Sequence, residues 1–201
     1  MIKAVIFDYG GVVKKETDPL VHLDIAKSCH ISLKTTKKTI EELKELYETG
    51  KIDDNKFWKI FKEKTNTRLP KDYKQLWLRK YIEKGKKDPK ILELISKLKT
   101  KKYIVAILSN TIPPHVNLNK KEHNFDLFDP VILSTAVGLR KPNKKIYLLL
   151  LKKIKLKPKE CIFVDDKEKN LKPAKQLGIH TILFRNSSQL EKKLKKLGVK
   201  L

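Results

Sequence analysis

Four short apolar runs in this chain lead into residues that can do chemistry on a phosphoryl group. Asp8 follows Ile2–Phe7, Ser109 and Asn110 follow Tyr103–Leu108, and the pair Asp165 and Asp166 follows Cys161–Val164. The fourth run, Val131–Leu133, precedes a loop that contains Arg140, Lys141 and Pro142. A carboxylate can attack phosphorus and form an aspartyl-phosphate, which splits one hard step into two easier ones. One anion attacking another needs a cation between them, and Mg²⁺ takes oxygen ligands that usually include one or two carboxylates. Asp165 and Asp166 suit the metal and Asp8 suits the attack. Lys141 and Ser109 can hold the remaining phosphate oxygens, the lysine as a point charge. Each piece has an ordinary explanation when taken singly: an Asp after a strand is often a turn residue or a helix cap, and an acidic pair is often a solvated turn. The order and strand context of the whole set point to phosphoryl transfer, which asks a protein mainly for positioning and charge neutralisation.

Such residues work together only if the strands that carry them lie side by side. The runs Ile2–Phe7, Tyr103–Leu108, Val131–Leu133, Cys161–Val164 and Thr181–Phe184 are nearly continuous in apolar residues, as expected for parallel strands covered on both faces. Helical patterns separate them. One starts at Asp88 and Pro89 and presents Ile91, Leu94, Ile95 and Leu98 on one face; another carries Ile146, Leu149, Leu150 and Ile154; a third ends at Leu177 and Gly178. Strand alternating with helix predicts an α/β fold, a Rossmann-like parallel β-sheet core flanked by helices. In such sheets ligands bind beyond the carboxyl ends of the strands, where Asp8, Ser109, Asn110, Asp165 and Asp166 fall.

Between about Asp18 and Lys84 no strand is legible, and four helical patterns follow one another. Ile40, Leu43, Leu46 and Tyr47 share a face, as do Phe57, Trp58, Ile60 and Phe61, and then Tyr73, Leu76, Trp77 and Tyr81. Gly50 and the stretch Asn66–Pro70 mark breaks. Both tryptophans lie here, and a helical-bundle core explains them better than ligand stacking. The expected division is residues 1–16 and 86–201 as the α/β core and 17–85 as a small all-helical insertion after the first strand.

Composition narrows the remaining classes. With 201 residues, 40% hydrophobic and 35% charged, the chain reads as a globular protein with room for one good core and a small accessory unit. The apolar run Ile146–Leu151 is far too short to span a bilayer, and no secretory signal is legible at the N-terminus, so a cytoplasmic protein without a membrane partner is expected. The only two cysteines, Cys29 and Cys161, have no metal-ligand spacing and read as buried free thiols. The net charge of +24 raises the question of nucleic acid. Only four of the 47 basic residues are arginine, however, and lysines run through every segment without interleaved aromatics. That pattern fits a lysine-rich composition better than base readout or single-strand binding.

The segments Val5–Val13, Ile107–Thr111, Gly138–Pro142 with Lys145–Tyr147, and Ile162–Asp166 with Asn170 resemble the four motifs of the haloacid dehalogenase-like hydrolase superfamily, in its order and over essentially the whole chain. The form of the first and third motifs is most similar to its sugar-1-phosphate (glucose-1-phosphatase-like) phosphatase branch. The resemblance implies that the insertion is a cap over the substrate and that Asp8 is the nucleophile. It implies a Mg²⁺ site made by Asp8, the Gly10 carbonyl, Asp165 and Asp166, with phosphate held by Ser109, Lys141 and Asn110. Asn170 is implied to brace the metal carboxylates from behind. The implied substrate is a small phosphorylated metabolite such as a sugar phosphate; monomer and homodimer stay open.

One departure stands out. Most phosphatases of the superfamily carry a second Asp two residues after the nucleophile, as general acid and base, and here that position is Gly10. The missing group is typically worth about 10²–10⁴-fold in rate. Three readings follow, in this order. The first is an active phosphatase whose leaving group is stable as an anion, with water or a side chain such as Glu16 or His22 helping the second step. The second is a phosphate-binding or regulatory protein without turnover. The third is dehalogenation, suggested by Tyr9-Gly10 but opposed by the acidic pair, which those metal-independent enzymes lack.

Overall fold

The computed structural model describes residues 1–15 and 17–201. Five strands, β1 (Ala4–Phe7), β2 (Ile104–Ser109), β3 (Val131–Leu133), β4 (Cys161–Asp165) and β5 (His180–Leu183), form one sheet in the order β3-β2-β1-β4-β5. Every pairing is parallel, with Phe7 level with Ile107 on one side and with Val164 on the other. The five strands are those expected from the apolar runs, with ends that differ by one or two residues. Ser109 and Asp165 are the last residues of their strands rather than the first beyond them, because each still pairs with a neighbour, Leu133 and Leu183 respectively.

Alternation along β1 sends Val5 and Phe7 to one face and Ala4 and Ile6 to the other. The first face packs on Ile91, Leu94, Ile95 and Leu98 and on Leu190 and Leu194. The second packs on Ile146, Tyr147, Leu150 and Leu151, with Leu171 and Ala174. The sheet is thus covered on both sides, which is why its strands read as continuous apolar runs. Leu149, expected on the inner face of its helix, is only half-buried, and Tyr147 and Leu151 take that place.

After β1 the chain runs through α1 (Asp18–Ser28), α2 (Leu33–Glu48), α3 (Asp54–Thr65) and α4 (Leu76–Lys84) before returning to the sheet. This helical insertion has a core of its own, with Phe57, Trp58, Phe61, Leu76 and Trp77 buried together. Tyr47 stacks on Phe57 at 4.4 Å, and Trp58 meets Phe57 and Phe61 edge-on at 5.4 Å. Both tryptophans are therefore bundle core. Ser32 and Asp53 cap the starts of α2 and α3 through their side chains, and Asn66 ends α3 in the left-handed conformation.

The rest of the chain supplies α5 (Pro89–Thr100), α6 (Pro113–Lys121), the single turn α7 (Ser134–Val137), α8 (Lys144–Ile154), α9 (Glu168–Gln176) and α10 (Ser187–Lys196). Asp88 caps α5 by accepting from the Lys90 amide, with Pro89 in the first turn as expected. Cys29 and Cys161 are both free and buried. Among the described residues no helix is long and apolar enough to cross a membrane.

Candidate active site

The first strand turns sharply at its carboxyl end. The Lys14 amide donates to the Tyr9 carbonyl at 2.9 Å and the Gly11 amide donates to the Lys14 carbonyl at 2.8 Å, closing a loop that begins with Asp8. Asp8 itself is buried, and its Oδ1 accepts from the Tyr9 amide at 2.7 Å. In the sheet order, β4 lies directly beside β1, at the point where the chain switches from building one side of the sheet to the other. That placement brings Asp165 next to Asp8.

Lys141 connects the two carboxylates. Its ammonium lies 3.0 Å from Asp8 Oδ2 and 2.6 Å from Asp165 Oδ2, and the side chain is fully buried. The loop that carries it is fixed by an amide clamp: the Lys141 amide donates to Asn110 Oδ1 at 2.8 Å, and Asn110 Nδ2 donates to the Lys141 carbonyl at 2.9 Å. The Asn110 side chain is thus committed to placing Lys141. Ser109 is buried at the end of β2 and, with Asp8, Gly10 and Asn110, lines a cavity of about 300 Å³.

On the other side, Asn170 Nδ2 donates to both oxygens of Asp165 at 3.0 Å, and the Lys167 amide donates to Asp165 Oδ1 at 2.8 Å. Tyr147 in turn donates to the Asn170 carbonyl at 2.7 Å, tying the support into the core. Asp8, Asp165 and Asp166 each bring a carboxylate oxygen into one group whose members lie within 4.8 Å of one another. Gly11 makes this approach feasible. It sits at φ +82°, and a methyl group added there would come within 2.4 Å of Asp166 Oδ2.

The electrostatics follow from this crowding. Burial, reinforced by the charges of Asp165 and Asp166, pushes Asp8 up to about 7 against the pull of Lys141. Burial also works against the Lys141 ammonium, but Asp8 and Asp165 together hold it above its ordinary value. Asp8 and Asp165 share the Lys141 ammonium, and Asp166 adds a third carboxylate beside them. Hard oxygen donors of this kind fit Mg²⁺, with Asp8, Asp165 and Asp166 as candidate ligands.

The expected site residues therefore come together: Asp8, Ser109, Asn110, Lys141, Asp165, Asp166 and Asn170 form one cluster at the carboxyl edge of the sheet, with Gly10 on the cavity wall. Glu16, weighed as a helper for the second step, lies outside the described residues. His22 is half-buried on α1 and lines the cavity, its imidazole held below its ordinary value chiefly by burial.

Several cavity residues were given no role by the sequence pattern. Arg140 reaches across to Glu48 at the end of α2, with 2.9 Å between Nη2 and Oε2. Burial raises the Glu48 carboxyl, and Arg140 opposes that rise. His115 of α6 stacks on Tyr81 of α4 at 3.7 Å and shares a 3.0 Å hydrogen bond with the Trp77 carbonyl. Lys14 places its ammonium 3.5 Å from the centre of the Tyr81 ring. All of these contacts join the insertion to the sheet-based part of the chain.

Comparison with known proteins agrees with this geometry. The family model for haloacid dehalogenase-like hydrolases matches residues 2–178. A D-ribitol-5-phosphate phosphatase from Bacteroides thetaiotaomicron is 29% identical over 209 aligned positions, covering 96% of this chain and 97% of that protein. A sesquiterpene phosphatase from Aspergillus oryzae is 30% identical over 179 positions, covering 88% and 87% of the two chains. By contrast, the match to mouse bifunctional epoxide hydrolase 2 reaches 45% identity over 69 residues, 34% of this chain and only 12% of that protein. Among solved structures, a haloacid dehalogenase-family enzyme from Bacteroides thetaiotaomicron superposes with a TM-score of 0.79 at 26% identity, covering 92% of this chain and 94% of the other. That enzyme has also been crystallised with magnesium.

Proposed function

This chain belongs to the haloacid dehalogenase-like hydrolase family, and from that premise we propose that it is a Mg²⁺-dependent phosphomonoesterase whose nucleophile is Asp8. The observation that carries the reading is Lys141, fully buried and within 3.0 Å of Asp8 and 2.6 Å of Asp165, beside a third carboxylate, Asp166. No dehalogenating site without a metal needs that acidic pair. Two relatives that align over most of both chains are named as phosphatases, which supports the same class.

In this reading Asp8 Oδ attacks phosphorus of a small phosphorylated metabolite, such as a sugar phosphate, and the P–O bond to the leaving group breaks. The resulting aspartyl-phosphate is then hydrolysed by water. Asp8, Asp165, Asp166 and the Gly10 carbonyl would hold Mg²⁺, which supplies positive charge to the phosphate oxygens when bound. Lys141 adds a fixed ammonium to the phosphoryl site, and Asn110 keeps that ammonium's backbone in place. Ser109 offers a hydroxyl to a phosphate oxygen. Asn170 holds Asp165 in orientation. Residues 17–85 act as a cap over the cavity, anchored by Arg140 to Glu48. The preferred leaving group is one stable as an anion, because Gly10 supplies no proton. The setting we propose is the cytoplasm, with no nucleic-acid or membrane partner.

The test is phosphate release from an aryl phosphate with Mg²⁺ and with excess chelator. Asp8→Asn should lower it by at least about 10³-fold, and chelator should abolish it. Full activity in either condition refutes the proposal.

A further inference from the structure

One cation in the cavity has no part in the phosphoryl site. Lys14 is only 5% exposed, yet it lines the same cavity as Asp8 and Gly10. Its backbone is tied into the nucleophile loop and bridges both Gly10 and Lys87, so the position of its stem is set by the fold. Its ammonium rests 3.5 Å from the centre of the Tyr81 ring. The fold also leaves room for it: a methyl group at Gly85 would lie 2.6 Å from Lys14 Cε.

Among the described residues no carboxylate comes within ion-pair distance of Lys14. The charge of Glu122 acts on it only at longer range, and Lys87 opposes that effect. A buried ammonium without a counter-ion is costly, and an aromatic face offsets only part of that cost. Burial holds the group down at about 8. Among the described residues the cavity's carboxylates are Asp8, Asp18 and Glu48, and Glu48 is taken by Arg140, while Lys15, Lys37 and Lys44 add further positive charge. Among the described residues none pairs with the Lys14 ammonium, and an anion on the ligand would do so.

We propose that Lys14 is a specificity residue that selects phosphomonoesters whose leaving group carries a second anionic group, a carboxylate or another phosphate. The inference rests on the phosphatase reading for the place of the first phosphate. It predicts that a neutral leaving group binds less well, because it leaves the Lys14 ammonium buried without a partner.

Calorimetric titration with non-hydrolysable probes, in the presence of Mg²⁺, tests this without turnover. Propylphosphonate serves as the neutral probe, phosphonopropionate as the carboxylate and propylene bisphosphonate as the second phosphate. At least one anionic probe should bind the wild type about tenfold more tightly than the neutral one. Lys14→Met should remove that preference while leaving propylphosphonate affinity within about twofold. Whichever anionic probe keeps the advantage identifies the source of the second charge. Equal affinities in the wild type, no binding of either anionic probe, or a preference that survives Lys14→Met each overturn the proposal. Lys14→Gln repeats the test if the Met variant does not fold. A wild type that shows the preference but releases no phosphate from any ester refutes the phosphatase reading and leaves Lys14 as a residue that selects doubly anionic ligands.

Discussion

The ammonium of Lys141 sits between Asp8 and Asp165, 3.0 Å from one carboxylate and 2.6 Å from the other, with no exposure to solvent. Two acids at the carboxyl ends of adjacent strands are held close by one cation from a loop that neither strand contains.

Removing that cation leaves two buried carboxylates facing each other. Lys141→Met is therefore expected to destabilise the metal-free protein by about 3–5 kcal/mol, read by urea unfolding in chelator. Mg²⁺ should return part of the loss, because a bound divalent cation takes over the neutralising role. Phosphate release should remain depressed even with Mg²⁺, since the fixed charge on the phosphoryl site is gone. Unchanged stability in chelator contradicts the electrostatic account of the cluster.

Gly10 has an open surrounding. A methyl group added there meets no atom within 4 Å, and the residue is not among the glycines with positive φ. Gly10→Asp should therefore fold. It should raise hydrolysis of alkyl phosphates, whose leaving group needs a proton, by up to about 10²–10⁴-fold, and change aryl phosphate hydrolysis much less. A wild type that already cleaves alkyl phosphates as readily as sugar-1-phosphates or aryl phosphates contradicts the leaving-group reading.

The ion pair between Arg140 and Glu48 ties the end of α2 to the loop that carries Lys141. Glu48→Gln leaves the mostly buried Arg140 guanidinium without its carboxylate and should weaken that tie by at least about 1 kcal/mol, seen as a rise in KM of roughly fivefold or more with little change in kcat. A kcat loss with constant KM indicates instead that the pair positions Lys141.

His115 gives the fold a dependence on acid. The imidazole, about 6.5 in the unfolded chain, is pushed down to about 4 by burial, with the Trp77 carbonyl bond and Asp18 opposing. Its folded pKa is depressed, so the unfolded chain binds the extra proton. Stability from this group is complete above pH 6.5 and is lost as pH falls towards 4, by about 3 kcal/mol in all. Urea unfolding at pH 7.5 and pH 4.5 should show that loss, and His115→Gln should flatten it. An equally steep profile in the variant assigns the acid sensitivity elsewhere.

Much of the candidate site is legible in the sequence alone, because its parts announce themselves locally. An apolar run followed by a carboxylate marks Asp8 and Asp165 as strand-end residues, and helical spacing of Phe57, Trp58 and Phe61 marks a bundle face. Those signals are periodicity and chain order, which need no knowledge of neighbours. Tertiary structure alone decides what touches what. The order β3-β2-β1-β4-β5 sets Asp165 beside Asp8, and the Asn110 clamp turns Lys141 inward between them. Lys14 is the clearest case. In the sequence it is one of many lysines, and only the packing of Tyr81 and the space at Gly85 make it a buried charge facing the cavity. Local pattern determines which element a residue belongs to; the energy of a charge depends on its surroundings, and those are assembled from parts of the chain far apart in sequence.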